Sequence, residues 1–179
     1  MFEICCLKDE KAGGHTQEEI FMSIIDDSLV QEALDLSGPT IETILKNPKS
    51  TWGPKYVEVF IIERDDVSAY TAVIGEKEPW DPSWGEELDY DFLFVAEQKA
   101  NASLREKADT SFLIEQSPWL LEEGEFLYPG GVYYGGVAVG VSGAKGIVDE
   151  GIAKILISAI VMLAKQKTQE KIRNDDYQV

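Results

Sequence analysis

The spacing of apolar residues predicts where helices and strands follow one another along this chain. Apolar residues recur every three to four positions over 20–36, which is typical of one helix face. Thr16 and Glu19 form a capping-box pair, which predicts that this helix begins there. The following Gly38-Pro39 predicts its end, and a short helical piece is expected after it.

The rest of the chain alternates between strand pairs and helices. Segments 56–62 and 67–74 are rich in β-branched and aromatic residues, with Asp65-Asp66 between them, which predicts a hairpin. A helix over 91–108, a helical stretch over 111–122, strands over 132–134 and 137–142, and a long helix over 148–172 are predicted next.

Strand pairs separated by helices favour an α/β fold with an antiparallel sheet flanked by helices. No repeat, low-complexity tract or long linker divides the sequence. We therefore predict a flexible leader over 1–15, a single domain over 16–172 and a frayed tail over 173–179.

The net charge and the cysteines indicate which partners and which cellular compartment to expect. A net charge of −17 repels phosphate backbones and anionic membranes, so neither nucleic acid nor a membrane is expected as a partner. The apolar stretch 152–164 is shorter than the ~20 residues that span a bilayer. Adjacent Cys5 and Cys6 do not suit normal disulfide geometry, and the acidic start lacks signal-peptide charge. Together these features predict a cytoplasmic protein.

The last predicted helix is apolar around most of its circumference. Between residues 152 and 164, only a narrow polar stripe with Lys154 and Ser158 interrupts the apolar surface. A surface helix of a monomer needs a narrower apolar face. Either a neighbouring element or a second subunit must cover the excess, and we expect a homo-oligomer.

Several kinds of active site are excluded by the residues themselves. His15 is the only histidine, and a G-x-S-x-G motif and a P-loop are both absent, so a serine triad, a His-rich zinc site and a nucleotide fold are not expected. Two acidic runs offer oxygen ligands for a metal, although a solvated acidic loop is the favoured interpretation. They comprise Glu86, Glu87, Asp89 and Asp91, then Glu122, Glu123 and Glu125.

Glycines cluster in the segment that joins the last strands to the last helix. Most of them suit tight turns or close helix–strand packing. Ser142-Gly143 differs because it directly precedes a predicted helix N-terminus, where backbone N–H groups and the helix dipole favour a carboxylate.

The segment 128–154, YPGGVYYGGVAVGVSGAKGIVDEGIAK, resembles the C-terminal half of the GlcG/HbpS-like, DUF336-type haem-degrading domain family. The strongest matches are VSGA over 141–144 and Asp149-Glu150. A weaker echo, over 94–111, contains Lys99-Ala100. The resemblance implies a profilin- or PAS-like sandwich, which agrees with the fold predicted from the strand and helix pattern. It also implies higher oligomers.

The resemblance implies a haem- or tetrapyrrole-binding protein that could also degrade haem. Lys99 would pair with a propionate, and Ser142 and Gly143 would hold a carboxylate. Gly130 and Gly131 would let the macrocycle approach the backbone, and iron would take its ligand from a tyrosine, for which the candidates are Tyr133 and Tyr134. Two alternatives stay open: an oligomeric adaptor that recruits a basic partner, and a metal-dependent enzyme acting on a small organic acid.

Overall fold

In the described part of the chain, five strands form one antiparallel sheet with helices on both faces. The computed structural model describes residues 5–7, 25–63, 68–77, 91–125 and 128–173. The strands lie in the order β1-β3-β2-β5-β4. The elements, in chain order, are β1 (Cys5–Leu7), α1 (Asp27–Leu45), β2 (Tyr56–Glu63), β3 (Ala69–Gly75), α2 (Phe92–Glu106), α3 (Thr110–Gln116), a 3-10 helix (Pro118–Leu120), β4 (Gly131–Tyr134), β5 (Val137–Ser142) and α4 (Gly146–Arg173). The predicted α/β class is confirmed.

The central strand β2 is buried on both sides because helices cover both faces of the sheet. Val57, Val59 and Ile61 belong to the larger core, which the sheet forms with α1 and α4. Phe60 and Ile62 point the other way, into a smaller core with α2. This arrangement explains why β2 is a nearly continuous apolar run and not an alternating one.

Helix α2 lies directly on the backbone of β4 and β5. Gly131 and Gly140 are partners across these two strands. A Cβ atom at Gly140 would collide with the carbonyl of Ala96 and lie 2.8 Å from the amide nitrogen of Ala100. At Gly131 it would lie 2.5 Å from Oγ of Ser103. These two glycines therefore permit the close helix–sheet packing expected of most glycines in this region.

The prediction that Gly38-Pro39 ends the first helix is wrong. Helix α1 continues through Pro39 to Leu45, and its N-cap is Asp26, whose Oδ1 accepts a hydrogen bond from the amide of Leu29 at 2.9 Å. An internal proline costs about 3 kcal/mol. Leu34, Ile41 and Leu45, on both sides of the proline, are fully buried, and their burial outweighs that cost. The proposed capping pair, Thr16 and Glu19, lies outside the described residues.

Part of the expected leader is a strand. Cys5–Leu7 pairs antiparallel with β3, so a loose leader is wrong for these three residues. The physical reason is that β3 would otherwise present unpaired N–H and C=O groups along one edge. Among the described residues, no helix is long and apolar enough to cross a membrane.

The wide apolar surface of α4 is covered mostly within the chain. Ile152, Leu156 and Ile160 are fully buried in the core that α4 shares with the sheet and α1. Packing against both the sheet and α1 covers two sides of the helix, which the sequence argument did not anticipate. Ile147 and Met162 remain exposed. A homo-oligomer therefore stays a prediction, without the support that the apolar surface first gave it.

Candidate functional site

A cavity of about 300 Å³ lies where the start of α2, the end of β5 and the start of α4 meet. Its size falls at the small end of the range usual for ligand pockets, about 300–1,000 Å³. One part of its wall consists of aromatic and aliphatic side chains, and the other part consists of polar side chains and backbone atoms. The first part consists of Trp52, Phe92, Val95 and Tyr128, and the second of Lys99, Ser142, Gly143, Ala144, Lys145, Gly146 and Asp149.

Lys99 is the central buried cation of this site. Its Nζ donates to the carbonyl of Val141 at 2.9 Å and to Oδ2 of Asp149 at 3.1 Å. Both charged side chains are almost fully buried. Burial lowers the pKa of the Lys99 amine, and the carboxylate of Asp149 acts in the opposite direction. The ammonium is thus held at the wall of the cavity by two acceptors.

Asp149 connects this cation to the loop before α4. Its Oδ1 accepts a hydrogen bond from the amide of Ala144 at 2.9 Å, while Oδ2 faces Lys99. Burial raises the pKa of Asp149 to about 6, and Lys99 and the Ala144 amide oppose that rise. The carboxyl group therefore titrates near neutral pH while it joins three elements: α2, β5 and α4.

The N-terminus of α4 forms part of the same wall. The amides of Val148 and Asp149 donate to the carbonyl of Lys145, which begins the helix. The first residue of α4, Gly146, lines the cavity. N–H groups in the first turn of a helix have no intrahelical acceptor, and the helix dipole adds positive potential there. This end of the cavity is suited to an anionic group.

The aromatic wall is held in place by a hydrogen bond and a ring contact. Trp52 donates from Nε1 to the carbonyl of Ala144 at 2.7 Å, which fixes the indole beside the polar end. Phe92 packs edge-on against Tyr56, with ring centroids 5.9 Å apart. A hydrogen-bonded indole and a packed phenyl ring have few alternative orientations, so this wall is preformed.

The neighbouring acids Asp149 and Glu150 bind different elements. Glu150 accepts hydrogen bonds from the amide of Ser111 at 3.2 Å and from its Oγ at 2.9 Å. Asp109, the N-cap residue of α3, makes no capping bond with its own side chain. Glu150 therefore caps α3 from another helix, while Asp149 faces the cavity. Lys154 pairs with both Glu150 and Asp109, at 2.6 and 3.2 Å.

The structure brings together three of the residues singled out in the sequence. Lys99, Ser142 and Gly143 all line the cavity. Gly130 lies next to them, since a Cβ atom there would be 2.7 Å from Nζ of Lys99. Gly131 lies further along, beneath α2, with no place in the cavity wall.

Neither of the two candidate tyrosines lines this cavity. The amide of Tyr133 donates to Oδ1 of Asp109 at 3.3 Å, which places the residue beside the start of α3. Tyr134 is half-exposed and lines a separate groove with Val161 and Lys165, whose Nζ lies 5.5 Å from the ring centroid. Iron ligation by Tyr133 or Tyr134 therefore stays an untested prediction, and it would require haem to bind outside this cavity.

Sequence reasoning missed the aromatic residues of the wall. Trp52, Phe92 and Tyr128 come from three distant segments of the chain and share no regular spacing. Tyr128 had a usable signal, because it directly precedes the Pro-Gly-Gly turn that leads into β4. Trp52 and Phe92 had none that a local pattern could reveal.

The acidic runs do not form a metal centre within the described part of the chain, where no suitable group of ligands was found. Asp91 is the N-cap of α2, and its Oδ1 accepts from the amide of Leu93 at 3.0 Å. Glu125 pairs with Arg105 at 2.6 Å. Glu86, Glu87 and Asp89 lie outside the described residues.

Solved structures of other proteins are similar to this chain. The crystal structure of HbpS matches with a TM-score of 0.52 and 20% sequence identity, covering 82% of this chain and 95% of HbpS. The chain has the HbpS fold. The Klebsiella pneumoniae protein ORFY, a DUF336 protein, is similar with a TM-score of 0.48 and 13% identity, covering 84% of this chain and 97% of ORFY.

The GlcG/HbpS-like resemblance drawn from residues 128–154 is thus supported at the level of the fold. No family model matches the sequence, and no curated protein matches it either.

Proposed function

We propose that this chain binds a small ligand with a flat apolar body and a carboxylate in the cavity between α2 and α4, and that haem or a related tetrapyrrole is such a ligand. The observation that carries the proposal is the joint position of Lys99, Ser142 and Gly143 at the polar end of an aromatic-walled cavity. The sequence resemblance is the reason for naming a tetrapyrrole.

The polar end suits a carboxylate for two independent reasons. The first is the N-terminus of α4, where Gly146 offers an N–H group and the helix dipole favours an anion. The second is the cation Lys145 in the wall, which adds to the neutral ion pair of Lys99 and Asp149. Asp149 opposes an anion when ionised, but Lys99 neutralises it at 3.1 Å.

The aromatic end suits a flat apolar group. Trp52, Phe92 and Tyr128 present rings to the cavity, and Val95 adds an aliphatic surface. Aromatic faces stack on planar conjugated ligands and bury apolar area. The cavity is open to solvent past Trp52 and Tyr128, both of which are more than half exposed, so a planar ligand larger than the cavity would extend along this edge.

The lining residues have the chemistry that a haem would need. Gly143 and Gly146 would hold a propionate, Trp52 would contact the ring, and the phenol of Tyr128 is our candidate ligand for iron. Bound iron would supply the oxygen chemistry that haem degradation requires.

Haemin titration of purified, metal-stripped protein tests the proposal. We expect a saturable Soret shift near one equivalent per subunit, at micromolar affinity or tighter. Val95→Trp would fill the cavity and should weaken binding at least tenfold. Val73→Trp is the matched control, because Val73 is exposed on β3 and lies away from the cavity.

Two outcomes would overturn the proposal. One is a haemin spectrum no different from that with a control protein. The other is equal binding by the native chain and by folded Val95→Trp, which would place the ligand elsewhere. Equal losses in Val95→Trp and Val73→Trp would likewise remove the support for this cavity.

A further inference from the structure

Helix α3 and the 3-10 helix after it present large apolar side chains to solvent. We call Phe112, Trp119 and Leu120 the α3 patch. Their exposed fractions are 53%, 76% and 40%. A single exposed apolar residue is ordinary, but an indole, a phenyl ring and a leucine on two consecutive short helices form a patch typical of an interaction surface. Tryptophan is also enriched among residues that dominate binding energy.

The α3 patch sits on an ordered support. The amide of Ser117 donates to the carbonyl of Leu113, and that of Leu120 to the carbonyl of Ser117, each at 3.0 Å. From α2, Arg105 donates through Nη2 to the carbonyl of Leu120 at 3.2 Å. The 3-10 helix that carries Trp119 and Leu120 is therefore held by hydrogen bonds to α3 and to α2. A preorganised surface loses less conformational entropy when a partner binds.

The surroundings of the patch are acidic. Residues 105–125 contain six carboxylates and two cations, Arg105 and Lys107. Arg105 is already paired with Glu125. An open groove of about 580 Å³ places Phe112 beside Asp109 and Glu115, and Glu122 and Glu123 are exposed just beyond Leu120. Apolar anchors surrounded by negative charge complement an apolar side chain flanked by lysine or arginine.

Charge also argues against a second copy of this chain as the occupant. The groove itself is acidic, so two copies of this surface repel one another. We propose that the α3 patch docks a basic amphipathic segment of a partner protein. The surface shares no residue with the cavity wall, so the inference goes beyond the proposed ligand site.

Two synthetic probes separate the apolar contribution from bulk charge. One is an amphipathic Lys/Leu peptide, and the other replaces each leucine with serine at the same charge. At physiological ionic strength, where distant charges are screened, the native chain should bind the Lys/Leu peptide about tenfold or more tightly than the Lys/Ser peptide. The double variant Phe112→Ala/Trp119→Ala should lose this preference. It should still fold, because both side chains are exposed.

Met162→Ala is the matched control, since Met162 is an exposed apolar residue on α4, away from α3. It should keep the full preference. The inference is overturned if both peptides bind the native chain equally, or if the preference survives in the double variant. It is also overturned if Met162→Ala loses as much of the peptide preference as the double variant does. Dimerisation of the native chain that the double variant abolishes would overturn it as well.

Discussion

Lys99 on α2 and Asp149 on α4 form a buried ion pair, with 3.1 Å between Nζ and Oδ2. The pair lies in the cavity wall, and its further bonds to the carbonyl of Val141 and the amide of Ala144 include the end of β5. One contact thereby joins both helix layers to the strand between them. The stability of the domain and the shape of the cavity depend on the same two side chains.

Removing one member of this pair should destabilise the domain strongly. Lys99→Met leaves Asp149 buried without its cation, so the carboxyl group must either stay charged or take up a proton. Breaking a buried pair in this way typically costs about 3–5 kcal/mol. Urea unfolding at pH 7, with the slope compared between variants, measures the change in free energy of unfolding.

Lys46→Met is the control, because Lys46 is largely exposed and its contact with Glu42 is 3.7 Å. A surface pair of this kind contributes about 0–1 kcal/mol. A loss in Lys99→Met no larger than that in Lys46→Met would show that the buried pair is not structurally important.

The pH dependence of stability should carry the signature of Asp149. Its folded pKa, raised by burial to about 6 from 3.8, means that the folded state binds this proton more tightly than the unfolded state does. Its favourable contribution is therefore fully present below pH 3.8 and is lost as the pH rises through 6.

Comparison with Asp149→Asn isolates this contribution, because asparagine does not titrate. The free energy of unfolding of the native chain minus that of the variant should fall by about 2 kcal/mol between pH 4 and 7. A difference that stays constant or rises over this range would contradict the raised pKa.

Alanine should have opposite effects on stability at two glycines, Gly140 beneath α2 and Gly151 on α4. Gly140→Ala places a methyl group against the backbone of Ala96 and Ala100, which cannot move aside, and should destabilise the domain by about 1–3 kcal/mol or more. Gly151→Ala, within α4, meets no atom within 4 Å and should stabilise by about 0.5–1 kcal/mol. Thermal unfolding of both variants measures these changes. A Gly140→Ala variant as stable as the native chain would contradict the close packing of α2 on β5.

Helix and strand positions could be predicted where one pattern decided them. The pair β2 and β3 and the long helix α4 matched their apolar spacing because packing reinforced the local signal. At Gly38-Pro39 the local signal failed, since burial on both sides of the proline outweighed its cost. The pairing of Cys5–Leu7 with β3 is a long-range contact, which local spacing does not reveal.

The candidate site was also predictable only in part, because several of its contacts join residues that are distant in the sequence. Ser142-Gly143 could be recognised because a strand end next to a helix start is visible in sequence, and Lys99 because of the resemblance. The contact of Lys99 with Asp149 joins residues 50 positions apart. The rings of Trp52, Phe92 and Tyr128 converge only in the folded chain.

The position of the aromatic residues changes the expected effect of tyrosine variants on haem. Tyr128 lines the cavity, whereas Tyr133 and Tyr134 do not. Tyr128→Phe should alter the visible spectrum of the haemin complex, while Tyr133→Phe and Tyr134→Phe should leave spectrum and affinity unchanged. Loss of the native spectrum in Tyr133→Phe or Tyr134→Phe alone would restore the original assignment.

The location of the ligand is the central claim, and residue-resolved NMR tests it most directly. Isotope-labelled native protein would be titrated with diamagnetic zinc protoporphyrin, and the backbone amide shifts followed. We predict that the largest shifts fall on residues 142–147 and on Val95 and Lys99, around the cavity. Largest shifts at Tyr134 and Lys165, in the groove at the other end of β5, or no shifts at all, would contradict the account.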